Sequence, residues 1–195
     1  MHELILASKS PRRQALLKLL QLPFRILTAE TGEDFEPLLS PEEIVTELAL
    51  RKGNAVRDHF PAETADKLVL AADTIVVLDG EVLNKPNDEN HAFEMLSKLQ
   101  GRTHEVFTGF ALIKGKNKGK EVVTEFERTA VTFAPMSADE IRTYIRTAKP
   151  FDKAGAYGIQ DDFGACFIER IEGCYYNVVG LPLAKLYKTL KRFQA

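Results

Sequence analysis

Leu16, Leu19 and Leu20 stand at i, i+3 and i+4, the spacing of one helix face, with Ser10 and Pro11 ahead of them as cap and first helical position. The pattern predicts a helix over 11–21. Short apolar runs at 3–7 and 24–28 flank it and read as strands, so the chain opens as strand, turn, helix, strand. An acidic loop over 30–36 leads to Ser40 and Glu43, a capping box that starts a helix reaching about His59; Ser137 and Glu140 form a second box, for a helix to about Thr147. Between them, Leu68 to Leu78 is almost wholly apolar, the mark of a strand buried on both faces at the centre of a sheet. It turns at Asp79-Gly80 and returns through 81–84. A helix over 88–99 closes at Gly101, and 103–114 and 121–133 read as long strands joined by a turn at 115–119. A strand over 164–171 and a helix over 183–193 complete the chain. Hairpins mixed with helical connections predict an α/β or α+β fold on a sheet of mixed direction rather than a regular doubly wound array, organised as one domain over 1–195.

Composition narrows the function. Over 195 residues, 45% are apolar and 28% charged, which excludes disordered and collagen-like chains. With 26 Lys and Arg against 28 Asp and Glu, the net charge is −2, so no general nucleic-acid binder is expected and any anion site must be local. The segment 68–78 is too short to cross a bilayer and carries Asp73, so no membrane association is expected. No secretory signal is legible near the first residues, which gives a cytoplasmic expectation. Cys166 and Cys174 form no Cys-x-x-Cys pair and read as reduced, packed thiols. His2, His59, His91 and His104 have no paired metal spacing and receive no role. Residues 115–120 imitate a phosphate loop, but the glycines are one residue too close and Glu121 stands where a hydroxyl would hold magnesium.

Three features break local rules. Arg12 and Arg13 occupy the first turn of their helix, where cations oppose the helix dipole at roughly 0.3 to 1 kcal/mol each unless an anion joins them. Together with Ser8, Ser10 and the backbone N–H groups they would hold a polyanion; an arginine pair on a solvated surface fits that segment equally well. Asp73 interrupts a buried strand, where a bare carboxylate costs several kcal/mol and therefore calls for a cation, a metal or water. Lys52 follows Ile44 and Leu48 and precedes Val56 at intervals of four, on the apolar face of its helix, as a snorkelling lysine also would. Lys85 is held extended by Pro86 just after the Asp73 hairpin. Cations, a carboxylate and a helix N-terminus are the equipment of phosphoryl chemistry, and residue pattern alone stops at that class.

Five segments carry a resemblance: LASKSPRRQALL over 6–17, AADTIVV over 71–77, NKP over 84–86, DKAGAYGIQ over 152–160 and NVVGLP over 177–182. In this order and spacing the chain resembles the Maf family of nucleoside triphosphate pyrophosphatases. The resemblance implies a two-lobed mixed α/β fold, similar to the inosine triphosphate pyrophosphatases, with the nucleotide in a central cleft. It also implies a divalent metal, magnesium or manganese, and often a homodimer. By motif, Asp73 matches the catalytic acid; Ser8, Arg13, Glu33, Lys52 and Lys85 match substrate-binding positions; Arg12, Thr74 and Gln160 match positions of base choice. Asp73 and Glu33 are the implied metal ligands. The 152–160 segment is similar to the branch acting on dTTP and UTP rather than the 7-methyl-GTP branch, with modified pyrimidine triphosphates as further candidate substrates. Asp161 and Asp162 depart from the small residues often found there and add negative charge beside the implied base site. The competing reading is a nucleotide-binding regulator of septum formation with little turnover.

Overall fold

The computed structural model describes residues 3–114, 121–161 and 164–194. β1 (Leu4–Leu6), fully buried, leads into α1 (Pro11–Lys18), whose N-cap Ser10 accepts the Arg13 backbone N–H. The helix is shorter than its apolar spacing predicts. Leu19, Leu20 and Gln21 donate to carbonyls three residues back, and Gln21 has φ 54°, so the last turn tightens and stops. β2 (Phe24–Ile26) follows, then α2 (Pro41–His59) and a short α3 (Pro61–Thr64) that the pattern does not predict. β3 (Leu68–Leu78) turns through the left-handed pair Asp79 and Gly80 into β4 (Glu81–Leu83). Next come α4 (Glu89–Leu99), β5 (Thr103–Lys114), β6 (Glu121–Phe133) and α5 (Ala138–Ala148). Residues 154–156 make a single 3-10 turn. The strand expected over 164–171 is instead a 3-10 turn, Gly164–Phe167, followed by β7 (Ile168–Glu172). α6 (Tyr175–Val179) and α7 (Leu183–Gln194) close the chain. The expected turn at 115–119 and the departure at Asp162 lie outside the described residues.

The fold is α/β on a mixed sheet, as the alternation of hairpins and helices predicts. β1 runs parallel to both β2 and β3, β4 antiparallel to β3, and β7 antiparallel to β6. The hydrogen-bonded order is β2-β1-β3-β5-β6-β7, with β4 on β3, which makes β3 the interior strand its composition requires. Both predicted capping boxes form, Ser40 with Glu43 and Ser137 with Glu140. Each supplies acceptors for helix N–H groups that have no partner within the helix.

The chain forms two compact units. The first comprises Met1–Asp73, Thr108–Glu127 and Gly180–Ala195; the second comprises Thr74–Phe107 and Arg128–Val179. In the first, Ile5, Ala49, Val56, Val69, Ala71, Ala111 and Ile113 form an apolar cluster. In the second, Val76, Leu96, Leu99, Phe133, Ile141 and Tyr144 belong to a larger one. No described helix is long and apolar enough to cross a membrane. Both cysteines are free; Cys174 is partly buried, but Cys166 is exposed rather than packed.

Candidate active site

Asp73 is the last residue of the first unit and sits in β3 with 8% of its surface exposed. The cation that the strand's composition calls for is Lys52. The Lys52 ammonium donates to Asp73 Oδ1 and, at 2.9 Å, to Glu33 Oε1. α2 comes close enough for this because the residue after Lys52 is Gly53. A Cβ there would stand 2.6 Å from Ile113 Cδ1 and 3.3 Å from Ala71 Cβ. The spacing that puts Lys52 on the apolar face of α2 therefore aims it at the one acid in the strand beneath. The arrangement is a charge-assisted cluster in which one ammonium serves two carboxylates.

Glu33 is half-exposed and lies in the acidic loop, where no regular element fixes it. Arg51 does so instead. Its guanidinium donates to the carbonyls of Gly32, at 3.3 Å, and Asp34, at 2.6 Å, the residues on either side of Glu33. The other guanidinium arm pairs with Glu47 one turn earlier on α2. Residue pattern alone misses Arg51, although the Glu47 and Arg51 pair at i, i+4 marks that face of the helix.

The first turn of α1 faces the same electrostatic field. Ser8 is buried, and its Oγ accepts the Ser10 N–H at 3.2 Å. Arg13 donates from Nε to the Gly180 carbonyl at 2.9 Å, which anchors the guanidinium to the glycine within the NVVGLP segment. Burial draws the Arg13 pKa below its ordinary value; the Asp73 carboxylate opposes that, Arg12 adds to it and Glu33 opposes it. Arginine remains charged under any such shift. Arg12 is partly buried beside it. Thus Ser8, Arg12, Arg13, Glu33, Lys52 and Asp73, far apart in sequence, all belong to one unit.

Thr74, Lys85 and Gln160 belong to the second unit. Thr74 follows Asp73 on β3 and is partly buried. Lys85 is exposed, while its neighbour Pro86 is buried. The Asn84 carbonyl accepts the Gly155 N–H at 3.1 Å, so the 84–86 and 152–160 segments are joined by a backbone bond. Gln160 is exposed, in a turn closed by the Asp161 N–H donating to the Gly158 carbonyl at 3.1 Å.

The two acids on Lys52 are hard oxygen donors of the kind that suits magnesium or manganese. Among the described residues no group of three or more His, Cys, Asp or Glu side chains gathers to hold a metal. The donor set therefore fits an ion held by one or two carboxylates with substrate phosphates and water completing its shell, as magnesium is commonly bound. It does not fit a closed structural site.

Comparison with known proteins agrees in extent with the motifs. A family model described as Maf-like protein matches residues 3–193. The chain is 52% identical to the dTTP/UTP pyrophosphatase of Chlorobaculum tepidum, over 97% of this chain and 94% of that one. It is 48% identical to the dTTP/UTP pyrophosphatase of Bacillus cereus, over 99% and 96%. Among solved structures, a nucleoside-triphosphatase, or dITP/XTP pyrophosphatase, from Mycobacterium abscessus aligns with a TM-score of 0.46 at 14% identity, covering 98% of this chain and 97% of that one.

Proposed function

The chain belongs to the Maf-like family, and from that premise we propose that it hydrolyses dTTP and UTP to the nucleoside monophosphate and pyrophosphate. The observation that carries the reading is the Lys52 cluster. It sets a carboxylate, two cations and a second acid in one electrostatic field, of which Asp73 and Arg13 lie in the family motifs, in a chain about half identical to relatives named for this reaction.

In this reading Asp73 orients the attacking water and takes its proton as the water oxygen bonds to the α phosphorus. The bond from that phosphorus to the oxygen bridging to the β phosphorus breaks, and its electron pair leaves with pyrophosphate. Arg13, Lys52 and Lys85, with Ser8, bind the triphosphate and balance the charge that grows on the leaving group, the task at which fixed cations are most effective. Asp73 and Glu33 would hold a divalent ion, magnesium or manganese, which when bound supplies further neutralisation of phosphate charge. Gln160, with Arg12 and Thr74, selects the base: a glutamine amide offers an acceptor and donors that pair with N3–H and a carbonyl of uracil or thymine. The methyl that separates thymine from uracil is worth about 1 to 3 kcal/mol at most, so both are accepted. Residues 1–195 act as one catalytic domain, and the homodimer implied by the family resemblance and the cytoplasmic location expected from the first residues belong to the same reading.

The test is pyrophosphate release with magnesium from dTTP, UTP, CTP and 7-methyl-GTP by the wild type and by Gln160→Ala. Release from dTTP and UTP above the other two, with the preference collapsed in the variant, supports the reading. No turnover of any nucleotide would instead support a binding protein of the septum-regulator kind, and preference for 7-methyl-GTP the other branch.

A further inference from the structure

Gln160 can discriminate uracil from cytosine only if its amide is presented in a fixed attitude, because an amide turned end for end offers cytosine the complementary pattern. The backbone that carries it must therefore be held. The structure shows how. Gly158 opens the turn, Ile159 is buried, Gln160 is exposed and Asp161 closes it. Tyr144, on α5, touches both ends. Its hydroxyl accepts the Gly158 N–H at 3.0 Å and donates to Asp161 Oδ2 at 2.8 Å. A phenol has one proton to give; once that is committed to the carboxylate, the lone pair is left for the N–H, so the direction of the chain is fixed. Burial and the adjacent Asp161 both push the Tyr144 pKa far above its ordinary value, so it stays a donor throughout the working range of pH.

Asp161 is held from two further directions. Lys153 Nζ lies 3.5 Å from Oδ2 and 3.1 Å from Asp152 Oδ1, and the Asp161 carbonyl accepts the Ala165 N–H at 3.0 Å. Its carboxylate folds back over the start of its own turn. A Cβ at Gly158 would stand 2.6 Å from either carboxylate oxygen, so a side chain there would displace the carboxylate from this position. Tyr144 itself is 1% exposed and packs edge-on against Phe167, with ring centroids 6.0 Å apart. The anchor is thus buried and packed, while Gln160, one of the two residues between its contacts, faces outward.

Resting on the pyrimidine reading of Gln160, we infer that Tyr144 and Asp161 are positioning residues for base selection: they clamp the 158–161 turn and so set the attitude of the Gln160 amide. Asp161 is here part of the clamp and not merely added charge near a base.

The experiment measures kcat/KM for UTP and CTP, and the melting temperature, in wild type, Tyr144→Phe, Asp161→Ala, Asp161→Asn, Gln160→Ala and the Tyr144→Phe/Gln160→Ala double variant. Tyr144→Phe and Asp161→Ala are expected to lower the UTP to CTP ratio about tenfold, chiefly through a raised KM for UTP. Asp161→Asn, which keeps an acceptor for the phenol, should recover part of that ratio. The double variant should be no less selective than Gln160→Ala alone, since residues acting on one element are not additive. A lowered melting temperature with an unchanged UTP to CTP ratio in both Asp161→Ala and Tyr144→Phe would overturn the inference and leave base selection by Gln160 standing. Should Tyr144→Phe fail to fold, the two Asp161 variants decide by the same criterion. An unchanged ratio in Gln160→Ala would overturn both the inference and the base reading beneath it.

Discussion

The Lys52 cluster and the Tyr144 clamp stand for two ways of building a site. The first gathers full charges: one ammonium between Glu33 and Asp73, with Arg13 in their field. Such a group is held partly by attractions that a charged ligand can take over, so its residues are expected to act on turnover more than on stability. The second is a hydrogen-bonded relay in which a buried phenol, packed against Phe167, joins a backbone N–H to the Asp161 carboxylate. Its residues are expected to act on stability and on discrimination between substrates. The same contrast extends through the second unit, where buried His104 shares a hydrogen bond of 2.8 Å with Tyr157 and packs edge-on against Phe133.

The comparison breaks most visibly at Asp73. Removing a positioned general base costs about 10² to 10⁴ in rate. Asp73→Asn should lose that much kcat on dTTP while its melting temperature changes by only a few degrees, measured by coupled pyrophosphate release and by calorimetry. Near wild-type turnover would make Asp73 a structural partner of Lys52 and dissolve the contrast.

The second unit should answer to acid. Burial lowers the His104 pKa to about 4 from 6.5, so the folded protein keeps the imidazole neutral while the unfolded chain takes up a proton. The contribution is fully present above pH 6.5 and is lost as pH falls through that range toward 4, up to about 3 kcal/mol. Denaturant titrations across pH 7.5 to 4 should show this slope in wild type and a shallower one in His104→Gln. Equal slopes would assign acid lability elsewhere.

A smaller effect sharpens the first half of the comparison. Arg51→Ala frees the carbonyls beside Glu33 without removing any charge from the Lys52 contacts. It should raise the magnesium concentration needed for half-maximal activity by about threefold to tenfold, a displacement cost of the kind that imprecise positioning brings. An unchanged metal dependence would leave Glu33 without a role in holding the ion.

The two sites also differ in how far the amino-acid sequence reveals them. Asp73, Arg12 and Arg13 are legible because each violates a local rule, an acid in a buried strand and cations at a helix N-terminus, and Lys52 shows as a cation on an apolar helix face. Buried β3 and both capping boxes are legible for the complementary reason, that local pattern and tertiary placement agree. Arg51 and Tyr144 break no rule. An arginine paired with Glu47 is ordinary on a helix surface, and a tyrosine between Ile141 and Ile145 reads as core until the fold brings Gly158 and Asp161 to its hydroxyl. The early end of α1 is hidden for a similar reason, since the apolar spacing continues to Leu20 while Gln21 turns left-handed. The 164–167 turn is hidden too: Phe167 runs on into Ile168 as a strand would, but the Ala165 N–H is taken by the Asp161 carbonyl.

The central claim is that water attacks the α phosphorus of a pyrimidine nucleoside triphosphate under the guidance of Asp73. Hydrolysis of dTTP in ¹⁸O-labelled water, with the products resolved by mass spectrometry, tests it most directly. The account predicts one labelled oxygen in the monophosphate and none in the pyrophosphate, with the two products formed in equal amounts. Label in the pyrophosphate, or release of orthophosphate in its place, would contradict it.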